Sequence, residues 1–166
     1  MQKITISRFF LSLLLAAALS IPCDSRELPG FRALVIGVLD GDTIKVLHDG
    51  KPETIRLNGI DCPEKRQAFG TKARTFTAEL CFSREVNVEP EAKDRYGRTV
   101  AKVILEDGRC LNRELLAAGL AWWYRRYAPG DTELQRLEES ARLGRQGLWS
   151  DPLATAPWVY RKQKHP

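Results

Sequence analysis

Thr43-Ile44-Lys45-Val46-Leu47-His48-Asp49-Gly50-Lys51-Pro52-Glu53-Thr54-Ile55-Arg56-Leu57 is the stretch whose reading decides the fold. Polar and apolar residues alternate through Thr43–Leu47 and again through Glu53–Leu57, the period of strands that bury one face. Asp49-Gly50 between them supplies the residues that a tight hairpin turn requires. Upstream, Leu34-Val35-Ile36-Gly37-Val38 is another short apolar run, closed by Asp40-Gly41, so the chain from Ala33 reads as a three-stranded meander.

Working outward, Gly70–Phe82 has helical spacing, with Ala73, Phe76, Thr77 and Leu80 on one face. Val86 and Val88 mark a fourth strand. Ala101, Val103 and Leu105 mark a fifth, followed by an Asp107-Gly108 turn. Asn112–Ala118 reads as a short helix with Asn112 as its N-cap and Gly119 as its stop. Thr132–Leu143 is the last helix, opened by a Thr132/Gln135 capping box and buried along Leu134, Leu137 and Ala141. Five short strands with three helices predict an α+β protein, mainly a β-barrel, with an OB-fold as the natural candidate.

At 166 residues, 43% apolar and 28% charged, the chain has the size of one domain with its own core. That balance excludes a disordered or collagen-like chain. Residues 1–20 read as a secretory signal peptide. Lys3 and Arg8 precede the apolar run Phe9–Ala18, and small residues follow at Ala18 and Ser20. Their removal takes away two of the five surplus positive charges, and the remaining surplus still favours an anionic partner. The expected organisation is therefore a signal at 1–20, an irregular segment at 21–32, one domain at 33–150 and a tail at 151–166. The expected location is periplasmic or secreted, with no stable membrane insertion.

The chemistry-bearing residues lie in Asp40-Gly41-Asp42-Thr43 and in Arg56-Leu57-Asn58-Gly59-Ile60-Asp61-Cys62-Pro63-Glu64. On a meander, the start of one strand and the end of the next-but-one can lie side by side, so that Asp42 and Asp61 can meet across 19 positions of sequence. Facing carboxylates need a cation or a shared proton, and calcium accepts carboxylates, carbonyls and water without strict geometry. Alone, Asp40-Gly41 is a turn and Arg56 a solvated strand residue. Lys93-Asp94-Arg95-Tyr96-Gly97-Arg98 alone is a charged loop. Arg56 and Arg98 together offer planar forks to a phosphate. Cys23, Cys62, Cys81 and Cys110 show no zinc spacing with His48 or His165.

These motifs, with Gly119-Leu120-Ala121 and Gly147-Leu148-Trp149, occur in the order of the micrococcal nuclease (thermonuclease) family, which the chain resembles over residues 33–150. The resemblance implies a five-stranded OB-type barrel with three helices. It also implies a calcium-dependent endonuclease that cleaves DNA and RNA, with preference for single strands. It implies Asp42, Asp61 and the backbone carbonyl of Cys62 as the metal ligands, with Asp40 behind them. It implies Arg56 and Arg98 on the phosphate and Glu64 on the attacking water, these three being the catalytic set. Tyr96 and Tyr127 resemble nucleotide-contacting aromatics, and Arg125 in Trp122-Trp123-Tyr124-Arg125-Arg126-Tyr127 joins them as an expected substrate contact. The segment after Glu64 is shorter than in the family, and Cys62 replaces a hydroxyl residue.

The protein is expected to act as a monomer. The alternative from another class is a non-catalytic OB-fold module that binds single strands, which needs basic and aromatic residues but no acidic cluster. A calcium-stabilised envelope protein is a third, and the paired arginines argue against it. Trp122 and Trp123 suit either a base platform or the core, and Trp149 suits the core. Cys81, at the end of the first helix, and Cys110, beyond the fifth strand, are the candidate disulfide in an oxidising compartment.

Overall fold

The computed structural model describes residues 29–164. Five strands close into a barrel: β1 (Phe31–Asp40), β2 (Thr43–His48), β3 (Lys51–Leu57), β5 (Glu85–Lys93) and β6 (Thr99–Leu105). Around the barrel the order is β1-β2-β3-β6-β5, the OB-type arrangement. Closure depends on β1 serving two partners. Phe31–Leu34 pair with β5 and Leu34–Asp40 with β2, and two register shifts, at Val35/Gly37 and Val38/Asp40, bend the strand within the β2-paired part. On the other side β3 and β6 run parallel, with Arg56 opposite Val100.

Burial follows the alternation. Ile44, Val46, Ile55, Leu57, Val86, Val88, Ala101 and Val103 all point into the core, while Lys45 and Lys102 face water. A two-stranded ribbon lies outside the barrel, made of β4 (Ile60–Asp61) and β7 (Trp122–Trp123).

Helix α1 (Gly70–Cys81) packs on β1, and the Thr77 hydroxyl donates to the Gly41 carbonyl at 2.6 Å. Gly41 must be glycine. A Cβ there would meet Cβ of Ala73 at 2.8 Å and the Cys62 side chain at 2.9 Å. That close approach holds the Asp40–Asp42 turn against both the helix and the β4 exit.

Several expectations change. The first strand begins at Phe31, inside the segment expected to be irregular. Helix α2 (Leu111–Ala117) is capped at Cys110 and not at Asn112. Asn112 is instead buried within it, accepting from Val103 N–H and donating to the Asn58 carbonyl. Helix α3 (Thr132–Leu143) is capped by Asp131, whose carboxylate accepts the N–H groups of Glu133 and Leu134. The tail expected at 151–166 carries a fourth helix, α4 (Pro157–Lys164), after a 3₁₀ turn at Gly147–Ser150.

The Cys81–Cys110 bridge is not formed. Cys81 is buried on the inner face of α1, its thiol bonded to the Thr77 carbonyl, while Cys110 lies beside Asn112 at the start of α2. Burial pushes the Cys81 thiol up to about 12, so it packs as a small hydrophobe. Cys23 and the signal segment lie outside the described residues. No helix among the described residues is long and apolar enough to cross a membrane.

Candidate active site

Three chain segments meet at one mouth of the barrel: the β1–β2 turn, the end of β3 and the ribbon strand β4. Thr43 pairs with Arg56 in the sheet, which places Asp42 beside the Arg56 side chain. The Arg56 fork spans both aspartates. Its Nη1 lies 2.9 Å from Asp42 Oδ2, and its Nη2 lies 2.8 Å from Asp61 Oδ1. Asp42 and Asp61 are almost wholly buried, so this is not the solvated strand arginine that its sequence position alone describes. The Asp42 carboxylate also accepts the Thr43 hydroxyl and the Cys62 main-chain N–H.

Glu64 joins the cluster through a residue that sequence reasoning missed. Arg161 of α4 lies 2.6 Å from Glu64 Oε1 and 2.7 Å from Asp61 Oδ2. The available signal was Pro157, favoured at the first position of a helix, followed by Trp158, Tyr160 and Arg161.

In this ion-pair cluster three carboxylates, Asp42, Asp61 and Glu64, share two guanidiniums, Arg56 and Arg161. Burial and the neighbouring Asp42 carboxylate push the Asp61 carboxyl up, although the guanidiniums of Arg161 and Arg56 pull it down. Burial, Asp42 and Glu64 likewise push Asp40 up against Lys65 and Arg74. Burial and Asp42 raise the Cys62 thiol well above its ordinary range, leaving it a poor soft ligand.

An oxygen-only donor set with uncompensated negative charge fits a hard dication. Among the described residues no three His, Cys, Asp or Glu side chains converge as a cage. Two carboxylates would therefore need a main-chain carbonyl and water to complete a shell.

Arg98 does not join this ion-pair network. Asp94 holds its Nε at 2.6 Å, and its guanidinium lies 5.5 Å from the Tyr96 ring centroid. Tyr96 and Tyr127 are both largely exposed. Tyr127 meets Tyr124 edge-on, and Arg125 lies over the Trp123 ring at 4.4 Å while pairing with Glu138.

Glu138 is the other missed residue. It is buried, and it accepts the Trp123 N–H at 3.0 Å, tying α3 to the ribbon. Its position on the Leu134/Ala141 stripe was the signal, since a carboxylate on an apolar face needs partners.

The two tryptophans divide. Trp123 is buried, its indole N–H donating to the Ala128 carbonyl, whereas Trp122 is half-buried against Trp149 and Trp158. Trp149 is only half-buried, with the Arg142 guanidinium 4.0 Å from its ring. Trp123, Tyr124, Arg125, Arg126, Trp158 and Lys162 line a groove of about 320 Å³ beside α4.

Residues 54–151 match the family model described as staphylococcal nuclease homologue. The chain is similar to Protein ParB of Escherichia coli, 43% identical over 81% of each chain. It is also similar to the Micrococcal nuclease of Shigella flexneri, 43% identical over 80% of this chain and 81% of that one. An uncharacterized endonuclease of Escherichia coli O157:H7 is 40% identical over 78% of this chain and 84% of its own.

Proposed function

The chain belongs to the staphylococcal nuclease family and is a nuclease, and from that premise we propose a calcium-dependent endonuclease that cleaves DNA and RNA, prefers single strands and acts in the periplasm or outside the cell. The observation that carries the reading is the Arg56 fork between two buried carboxylates at the barrel mouth. Two buried aspartates serve a hydrolase that needs a cation, and a module that only binds strands has no use for them.

In this reading Asp42, Asp61 and the Cys62 carbonyl hold calcium. The ion, when bound, supplies Lewis acidity at a phosphate oxygen and offsets charge there. Arg56 faces the same phosphate from the barrel mouth. Arg98 keeps its Nη groups for it, because Asp94 takes only the Nε side of the fork. Both guanidiniums stabilise the negative charge that builds as water attacks phosphorus.

Glu64 accepts a hydrogen bond from that water, orients it and takes its proton. The electron pair of the breaking P–O bond leaves with the sugar oxygen.

Single-strand preference is supported by the groove beside α4, where Arg125, Arg126 and Lys162 lie among Trp123, Tyr124 and Trp158. An unpaired strand can offer its bases and backbone to such a groove, and a duplex keeps its bases stacked inside. Arg125 is part of this groove, and Tyr96 and Tyr127 are exposed side chains open to a strand. A monomer suffices, since one chain supplies every residue invoked. Export rests on the reading of residues 1–20.

The test is cleavage of labelled single-stranded DNA, duplex DNA and RNA by the mature protein in calcium, in magnesium and in EGTA. Turnover is expected in calcium, fastest on single strands, abolished by EGTA and far slower in magnesium. Equal rates in magnesium freed of trace calcium overturn the calcium assignment, and equal rates on duplex overturn the strand preference.

A further inference from the structure

Helix α4 lies beyond the matched residues 54–151 and brings a cation onto the carboxylates of the site. Arg161 Nη2 lies 2.7 Å from Asp61 Oδ2, while its Nη1 lies 2.6 Å from Glu64 Oε1 and 3.3 Å from Asp61 Oδ1. One guanidinium thus bridges the carboxylate assigned to the metal and the one assigned to the water.

The placement is built into the fold. Trp158 stacks on Tyr124 at 5.0 Å and nearly parallel, the Tyr160 hydroxyl donates to the Arg66 carbonyl, and Gln67 Nε2 donates to the Thr155 carbonyl. These contacts clamp α4 from the aromatic segment on one side and from the loop after Glu64 on the other.

Asp61 is heavily committed as a result. Its Oδ1 faces both Arg56 and Arg161, and its Oδ2 is bonded to Arg161. Arg56 is fixed in the sheet and almost buried, but Arg161 is half-exposed on a terminal helix. A dication reaching Asp61 meets a positive charge already seated there. Like charges at such separations oppose each other strongly where water is scarce.

We propose that Arg161 sets the affinity of this site for its dication. Its guanidinium serves as the counter-ion of Asp61 and Glu64 and is exchanged for the metal as the site loads. The proposal rests on the calcium reading above and adds a residue from outside the matched domain.

Calcium titration calorimetry of the chelator-treated mature protein, without nucleic acid, tests it. Arg161→Gln removes the charge at similar size and is expected to bind calcium about tenfold tighter than the parent. Arg161→Lys keeps the charge but gives up the planar fork, so its affinity should fall between the parent and Arg161→Gln. Trp158→Ala loosens α4 without altering any charge, and it too should bind more tightly. In the parent, saturating calcium should speed hydrogen exchange across residues 157–164.

Damage to the fold weakens metal binding, so a gain in affinity has no merely structural explanation. Equal or weaker binding by Arg161→Gln and Trp158→Ala, with the parent binding calcium normally, overturns the role of Arg161 and leaves the calcium reading intact. Unchanged exchange at 157–164 overturns the displacement. If neither the parent nor any variant binds calcium, the calcium assignment itself falls and this inference with it.

Discussion

The Asp42 carboxylate accepts the main-chain N–H of Cys62 at 2.6 Å across 20 positions of sequence. This bond joins the β1–β2 turn to the β4 exit, so one side chain both holds the site together and supplies its charge. Asp42→Asn keeps an acceptor for that N–H and removes the charge. Calcium affinity is expected to fall on the order of a hundredfold or more. Stability without metal should fall by only about 1–2 kcal/mol. Calorimetry and thermal melts in EGTA read the two effects separately. Undiminished calcium binding would place the metal elsewhere.

Glu64→Gln and Arg98→Ala should each slow turnover on single-stranded DNA by about a hundredfold or more. The first removes the acceptor for the proton of water and the second a guanidinium for the phosphate. Both side chains are partly exposed, so melting temperatures should move little. Wild-type kcat in a folded Arg98→Ala protein would show that Asp94 keeps this arginine out of the reaction.

Asp94 carries a pH signature. Burial pushes its carboxyl up, but hydrogen bonds from the Arg98 side chain and from the N–H groups of Arg98 and Tyr96 outweigh it and hold the folded value below 3.8. A carboxyl lowered on folding contributes its stability in full above the unfolded value and loses it as pH falls through the folded one. Asp94→Asn should therefore cost about 1 kcal/mol at neutral pH. The difference from wild type should narrow as pH drops below 3.8. Urea melts at several pH values measure it, and a constant difference down to the lowest pH would refute the linkage.

Glu138→Ala should destabilise the protein by about 2–3 kcal/mol, since it strands the Trp123 N–H and leaves Arg125 and Arg142 without their shared carboxylate. Single-strand affinity should drop as well, because the groove wall at Trp123 and Arg125 is held by this residue. Chemical denaturation and fluorescence anisotropy with a labelled oligonucleotide check the two parts. A stable variant with normal affinity would mean that the aromatic segment holds its shape unaided.

The barrel was legible because its causes are local. Alternation in Thr43–Leu47 and Glu53–Leu57, with Asp49-Gly50 between, commits those residues to a hairpin whatever the rest of the chain does. The ordered motifs likewise named Asp42, Arg56 and Asp61, which the structure brings onto one guanidinium fork. Caps were less legible. Asp131 and Thr132 are equally good capping residues by composition, and it is the Asp131 carboxylate that accepts the Glu133 and Leu134 N–H groups.

The partners of buried charge were decided by tertiary structure alone. Arg161 meets Glu64 across 97 positions and Asp61 across 100, and no periodicity or spacing reports such a pair. The same is true of Glu138 and of Asn112, whose side chains satisfy backbone groups of other elements. Cys81 and Cys110 are free thiols with separate partners: Cys81 bonds the Thr77 carbonyl within α1, and Cys110 lies beside Asn112. Local pattern sets which face of each element is apolar. Which polar groups must then satisfy one another is settled only when the barrel closes and removes them from water.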